Sequence, residues 1–142
     1  MATIEITFHL EPKSKGRPRF GRTRAGAPVA FTDKKTRNYE ARLEEVAGDA
    51  MVSAGLDPFT GPVELRMRAY HRIPQSWSKA KKEAALWKDT HPDLDNVLKA
   101  VLDSTNGVIF HDDRQVVKIK AEQRWGECGR IELTVMELEE GA

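Results

Sequence analysis

Val63-Glu64-Leu65-Arg66-Met67-Arg68-Ala69-Tyr70 alternates apolar and polar side chains without a break. A period of two puts Val63, Leu65, Met67 and Ala69 on one face of a strand and Glu64, Arg66, Arg68 and Tyr70 on the other. Such a strand lies in a sheet with one face in a core and the other open. A parallel sheet buried on both faces would instead read as a continuous apolar run. The same alternation returns in Ile4, Ile6, Phe8 and Leu10, and near the C-terminus in Val117, Ile119 and Ala121 and in Ile131, Leu133 and Val135. The last two runs flank a Gly126/Gly129 turn and read as a closing hairpin. Between these strands the period changes. Tyr39, Leu43, Val46, Ala47, Ala50 and Met51 recur at helical spacing from Thr32, and Gly55 supplies a stop. Ser76 or Ser78 is placed to cap a short helix through Trp87. Asp93 to Thr105 forms a further helix with Asp93 as N-cap, Leu94, Leu98, Val101 and Leu102 as its apolar stripe, and Gly107 after its end. Val108 to Phe110 is a short apolar step before a His111-Asp112-Asp113-Arg114 turn. The expectation is an α/β fold: one small domain over residues 1–142, a mixed β-sheet of about four to five strands packed against helices, and an open sheet face free to meet DNA or a second subunit.

The bulk composition agrees with a globular chain. The 142 residues are 39% hydrophobic and 32% charged, enough apolar material for one core. No apolar run approaches a bilayer span, and the N-terminus lacks the pattern of a secretory signal. A lone Cys128 excludes an intramolecular disulfide and any cysteine-based zinc cluster. A cytoplasmic protein with no membrane partner is therefore expected. The net charge of +1 conceals a strong asymmetry. Lys13, Lys15, Arg17, Arg19, Arg22, Arg24, Lys34, Lys35 and Arg37 face only Asp33 in the same segment, whereas Glu132, Glu137, Glu139 and Glu140 gather near the C-terminus. Residues 13–28, rich in Gly, Pro and Arg and without an apolar period, read as a basic loop or arm, with Val29 to Phe31 a short strand. Clustered cations of this kind suit a phosphate surface; the plain alternative is a solvated loop.

The chemistry-bearing residues centre on the start of the helix at Asp93. Asp93 and Asp95 flank Leu94, so with Leu94 directed inward the two carboxylates face solvent together, kept ionised by the positive end of the helix. Paired carboxylates suit Mg²⁺, which takes one or two protein carboxylates and completes its shell with water and phosphate oxygens. Lys99 follows Asp95 by one turn and shares its face. Asp112 and Asp113 offer further carboxylates. Each element also has an ordinary reading: a cap at Asp93, an exposed Asp95–Lys99 ion pair, a turn at Asp112-Asp113. An EF-hand fails because Val97 and Leu98 stand at required positions, and the histidines at 9, 71, 91 and 111 lack zinc-ligand spacing.

Taken together, Pro92-Asp93-Leu94-Asp95-Asn96-Val97-Leu98-Lys99-Ala100-Val101-Leu102-Asp103, then Asn106-Gly107-Val108-Ile109-Phe110-His111-Asp112-Asp113-Arg114-Gln115-Val116, closely resembles the RusA family of Holliday junction resolvases. Lys15-Gly16-Arg17-Pro18-Arg19-Phe20 and the Phe31-Thr32 to Tyr39 segment resemble the N-terminal half of that family. The resemblance implies a homodimeric, Mg²⁺-dependent endonuclease, with Mn²⁺ able to substitute, that nicks four-way DNA junctions in symmetric pairs and is often phage- or prophage-borne. It implies essential carboxylates at Asp93, Asp95 and Asp113, a less defined role for Asp112 beside them at the metal, and a catalytic lysine at Lys99. DNA contacts are expected from Lys13, Lys15, Arg17, Arg19, Arg22, Arg24, Arg66 and Arg68. The sequence departs from the family at His91, where many relatives carry a basic residue, and in its near-neutral charge. Two alternatives stay open: a Mg²⁺ nuclease of other branched or flap DNA, and a non-catalytic DNA-binding or regulatory protein on the same fold.

Overall fold

The strand quoted above becomes β4 (Val63–Arg72), an inner strand of a four-stranded mixed sheet in a computed structural model that describes residues 1–15, 19–31 and 33–139. The other members are β1 (Thr3–Phe8), β5 (Val116–Gly126) and β6 (Arg130–Glu137), in the order β1-β6-β4-β5. β4 pairs antiparallel with β6 and parallel with β5, and β1 pairs antiparallel with β6. Register carries the alternation across the sheet: Phe8 lies opposite Ile131, Ile131 opposite Ala69, Ile6 opposite Leu133, and Leu133 opposite Met67. The inward residues therefore form one apolar surface, while Arg66 and Arg68 stay on the open face.

Two helices cover the apolar surface. Helix α1 (Lys34–Ser53) starts at Asp33, whose Oδ1 accepts from the Thr36 amide at 2.8 Å, and buries Tyr39, Leu43, Ala47 and Met51. Gly55, at φ 67°, lets the chain turn left-handed, and the Leu56 amide then closes on the Met51 carbonyl at 2.9 Å. Helix α3 (Leu94–Thr105) packs beside α1. Phe59, Ile109 and Phe110 close the core beneath it, each such side chain contributing roughly 1.5–3 kcal/mol on burial. Among the described residues no helix is long and apolar enough to cross a membrane.

Five expectations change. Val117 and Ile119, read as the inward side of their strand, are 59% and 45% exposed, because β5 lies at the edge of the sheet. The last two strands are not a hairpin, because β4 lies between them. Residues 127–129 instead carry the chain over the end of β4, with Gly129 so close to Glu11 that a Cβ there would stand 2.8 Å from the Glu11 Cα. The helix after Ser78, α2 (Lys79–Ala84), stops before Trp87 because none of its residues is buried to extend it. The chain then pairs with β5, the Trp125 amide donating to the Leu86 carbonyl at 2.8 Å. On α3 the buried stripe is Val97, Ala100, Val101, Ser104 and Thr105, with Leu94, Leu98 and Leu102 only partly covered. Ser104 and Thr105 tolerate burial because their hydroxyls donate to Ala100 and Val101 carbonyls at 2.6 and 2.8 Å. Finally, the arm contains a two-stranded ribbon, β2 (Arg19–Arg22) with β3 (Pro28–Phe31), turned at Gly26. Arg17, the Arg19 side chain, Thr32 and Glu140 lie outside the described residues.

Candidate functional site

Asp93 is the N-cap of α3 by backbone geometry, at φ −70° and ψ 147°, but its side chain makes no capping hydrogen bond. The first intrahelical bond is made by its carbonyl, which accepts from the Val97 amide at 3.1 Å. Asp95 follows in the first turn, where its Oδ1 accepts from the Asn96 amide at 3.0 Å. Asp93, Asp95 and Lys99 are all exposed. Two carboxylates at the positive end of one helix, with an ammonium one turn on, form an accessible acidic and basic edge suited to a hard cation and a phosphate.

The loop entering this helix is held from below. Lys88 is buried, and its Nζ donates to the carbonyls of Thr90 at 2.6 Å and His91 at 2.8 Å. Burial pushes its pKa down, against the pull of nearby Asp93, Asp89 and Glu11. Gln123 adds a second tie: its Nε2 donates to the Pro92 carbonyl at 3.1 Å, and its Oε1 lies 2.8 Å from His71 Nε2. With the amide oriented to donate to Pro92, its oxygen accepts from His71, so Nε2 is the protonated nitrogen of that ring. Burial lowers the His71 pKa and keeps the imidazole neutral near pH 7. Sequence reading missed Lys88 and Gln123 as supports, and no local motif marks either.

The second acidic turn is built differently. Asp112 caps a short 3₁₀ turn (Asp113–Gln115), its Oδ1 accepting from the Arg114 amide at 3.0 Å, and this bond lowers its pKa. Gln115 completes a capping box by accepting from the Asp112 amide at 2.9 Å. Its Nε2 donates to Phe59 and Gly61 carbonyls at 2.8 and 2.9 Å. Sequence reading missed the box, although its Asp112-x-x-Gln115 spacing is local. Asp112 thus serves the turn, while Asp113, the next residue, is exposed. Asp93 and Asp95 share one helix start, and Asp112 and Asp113 share a separate turn. Among the described residues no three His, Cys, Asp or Glu side chains gather into a metal-holding group.

The expected DNA-contacting cations divide into free and committed. Lys15 Nζ reaches Glu40 at 2.7 Å and Asp103 at 2.9 Å, tying the arm to α1 and α3. Burial depresses its pKa, but the two carboxylates outweigh that and raise it overall. Arg66 pairs with Glu64 at 2.6 Å and Arg68 with Glu122 at 2.8 Å on the open sheet face. Lys13 lies over the Tyr39 ring at 5.4 Å, Arg22 donates to the Gly26 carbonyl at 3.0 Å, and Arg24 is exposed on the ribbon turn.

An α/β sheet with an exposed acidic helix start beside a lysine and a basic ribbon is an arrangement suited to phosphodiester hydrolysis. The family model described as Endodeoxyribonuclease RusA matches residues 9–136, a span that includes both acidic turns, Lys99 and the ribbon. The chain belongs to the RusA family and is an endodeoxyribonuclease of this junction-resolving group. It is 34% identical over 144 residues to Uncharacterized protein YqaN of Bacillus subtilis (strain 168), covering 97% of this chain and 99% of that one. It is 26% identical over 139 residues to the Crossover junction endodeoxyribonuclease rusA of Lactococcus phage r1t, covering 95% and 98% of the two chains.

Proposed function

We propose that the protein resolves four-way DNA junctions by paired symmetric nicks in recombination and repair, using Mg²⁺, with Mn²⁺ able to substitute. The observation that carries this reading is the Asp93 carboxylate: it stands at a helix start, exposed, yet the cap leaves it unused. The donor set fits a hard cation, since exposed carboxylate oxygens at one helix start match the one or two protein ligands Mg²⁺ takes. Asp93 and Asp95 would hold it, with Asp113, and Asp112 beside it, contributing from the second turn. The ion would supply Lewis-acid activation of water and stabilisation of charge at phosphorus.

The chain's own residues do the rest. Lys99 holds the scissile phosphate by its charge and offsets the negative charge that builds on it. Lys88 and Gln123 hold the carbonyls of residues 90–92 and so set the direction in which Asp93 leaves the loop. Lys13, Arg22 and Arg24, with Arg17 and Arg19 of the same arm, neutralise phosphates, and affinity falls steeply with salt. Lys15, Arg66 and Arg68 are already paired with carboxylates and contribute less to phosphate binding than their charge suggests. A four-way junction has approximate two-fold symmetry, so a C₂ homodimer supplies the two matched cuts. The phage origin of one relative agrees with a phage or prophage setting.

The test is incubation with a synthetic four-way junction, with Mg²⁺ or with EDTA, alongside three-way and flap DNA. Symmetric paired nicks on the four-way junction, lost in EDTA and in Asp95→Asn with binding retained, are the expected result. Metal-independent cutting, normal cutting by Asp95→Asn, or a preference for flaps overturns the reading.

A further inference from the structure

The chain has three tryptophans, and all three line one open groove of about 670 Å³. Trp77 and Trp125 meet edge to face at 4.8 Å, forming the inner wall. Trp87 is 57% exposed and Leu86 beside it 49% exposed. Their exposure does not come from a loose loop. The Leu86 carbonyl accepts from the Trp125 amide, and the Lys88 amide donates to the Gln123 carbonyl at 3.2 Å, so the segment is pinned along the outer edge of β5. A rigid indole presented to solvent is ready to stack, because ordering it costs little further entropy.

The charge around these rings selects the occupant. Lys81 Nζ lies 4.1 Å from the centre of the Trp77 ring, and the Arg124 guanidinium 4.9 Å from that of Trp87. Arg124 is itself paired with Glu122 at 2.8 Å, so among the described residues of the groove Lys81 is the cation free to meet a phosphate. Of the α2 lysines, Lys81 is the one that lines the groove. Aromatic faces bordered by cations fit a single DNA strand: bases stack on the rings and a phosphate meets Lys81. A second copy of this chain would bring its own cations against Lys81. The groove also adjoins the acidic site. Asp89 and Thr90 line its far end, and Lys88 between them and Trp87 is bonded to the Thr90 and His91 carbonyls that lead to Asp93.

We propose that this groove stacks an unpaired nucleobase of the strand entering the acidic helix start, with Trp87 as the platform. The assignment rests on the nuclease reading above for its DNA ligand. It accounts for an exposed indole and leucine that neither the core nor the acidic site uses.

Because every tryptophan lies in the groove, intrinsic fluorescence of the whole chain reports on it alone. Titration with a short oligothymidylate should quench the emission of the wild type. Trp87→Ala should weaken that binding about tenfold, the effect of losing one base–aromatic stack, and Trp87→Phe should keep most of it. The ratio should be equal at about 50 and about 200 mM salt, since stacking releases no counterions. Unquenched wild-type emission, or Trp87→Ala binding as the wild type does, overturns the proposal. So does a shift of Trp87→Ala to a smaller species in sedimentation, which assigns the groove to a second copy. Should Trp87→Ala fail to fold by circular dichroism, Trp87→Phe and Trp87→Leu decide: equal affinity for both overturns stacking. Junction nicking by the wild type, run in parallel, reads the nuclease reading separately: quenching without nicking sinks that reading alone, and nicking without quenching sinks only the groove.

Discussion

Truncating Gln115 to alanine tests how the second acidic turn is held. One side chain makes three hydrogen bonds there, accepting from the Asp112 amide and donating to the carbonyls of Phe59 and Gly61. It therefore fastens the turn that carries Asp113 to the loop before β4, where the Phe59 amide in turn donates to the Ile109 carbonyl at 2.8 Å. Each bond contributes roughly 0.5–1.5 kcal/mol net, and half-burial lets water replace part of the loss, so Gln115→Ala should cost about 2 kcal/mol. Urea unfolding at pH 7 should show the midpoint falling by about 1 M at an unchanged slope. Junction nicking should drop even where the variant is fully folded, because Asp113 loses its anchor. Gln115→Glu sharpens the test. It keeps an acceptor for Asp112 but sets an ionised carboxylate against two carbonyls, so it should be at least as unstable as alanine at pH 7. Protonation restores a donor, and its pKa is raised in the fold, so stability should recover as pH falls below about 5. A Gln115→Ala midpoint equal to the wild type, or a Gln115→Glu variant of wild-type stability at pH 7, would refute the reasoning.

Tyr39 gives a prediction in alkali. Burial pushes its phenol up to about 12, while its hydroxyl donates to the Glu11 carbonyl at 2.9 Å and accepts from the Lys13 amide at 3.2 Å. The unfolded phenol ionises near pH 10, so this contribution is complete below about pH 10 and is lost as pH rises toward 12, by about 2–3 kcal/mol in total. Tyr39→Phe should abolish that alkaline step in pH-dependent unfolding; a step of the same size in the variant excludes Tyr39 as its source. Gly129→Ala should destabilise by about 1–3 kcal/mol in urea, because the new methyl group meets the Glu11 backbone and carboxylate. Wild-type stability there would mean the crossing over β4 yields without cost.

The sequence by itself determined the buried faces of β1, β4, β6 and α1. It did not determine that of α3, nor the burial along β5, where Val117 and Ile119 stay exposed because β5 lies at the edge of the sheet. Alternation in Val63 to Tyr70 and in the Ile4, Ile131 and Val117 runs identified every strand of the main sheet, and the Tyr39 to Met51 spacing identified α1. The acidic helix start and the turn at His111 to Arg114 were also read, because caps and periods depend on neighbours within one or two turns, whereas the Asp112-x-x-Gln115 box within that turn was not. Only the tertiary structure decided which strands pair. β4 lies between β5 and β6 since a period of two records a buried face but not the partner at each edge. The partners of long polar side chains were likewise beyond local reading. Lys15 looked like a free cation until α1 and α3 brought Glu40 and Asp103 to it, and Lys88 and Gln123 gained their roles from carbonyls of a loop they support. Trp87 stands outside the helix expected for it, because the free edge of β5 offered hydrogen bonds to its segment that a helix with no buried residue could not outweigh.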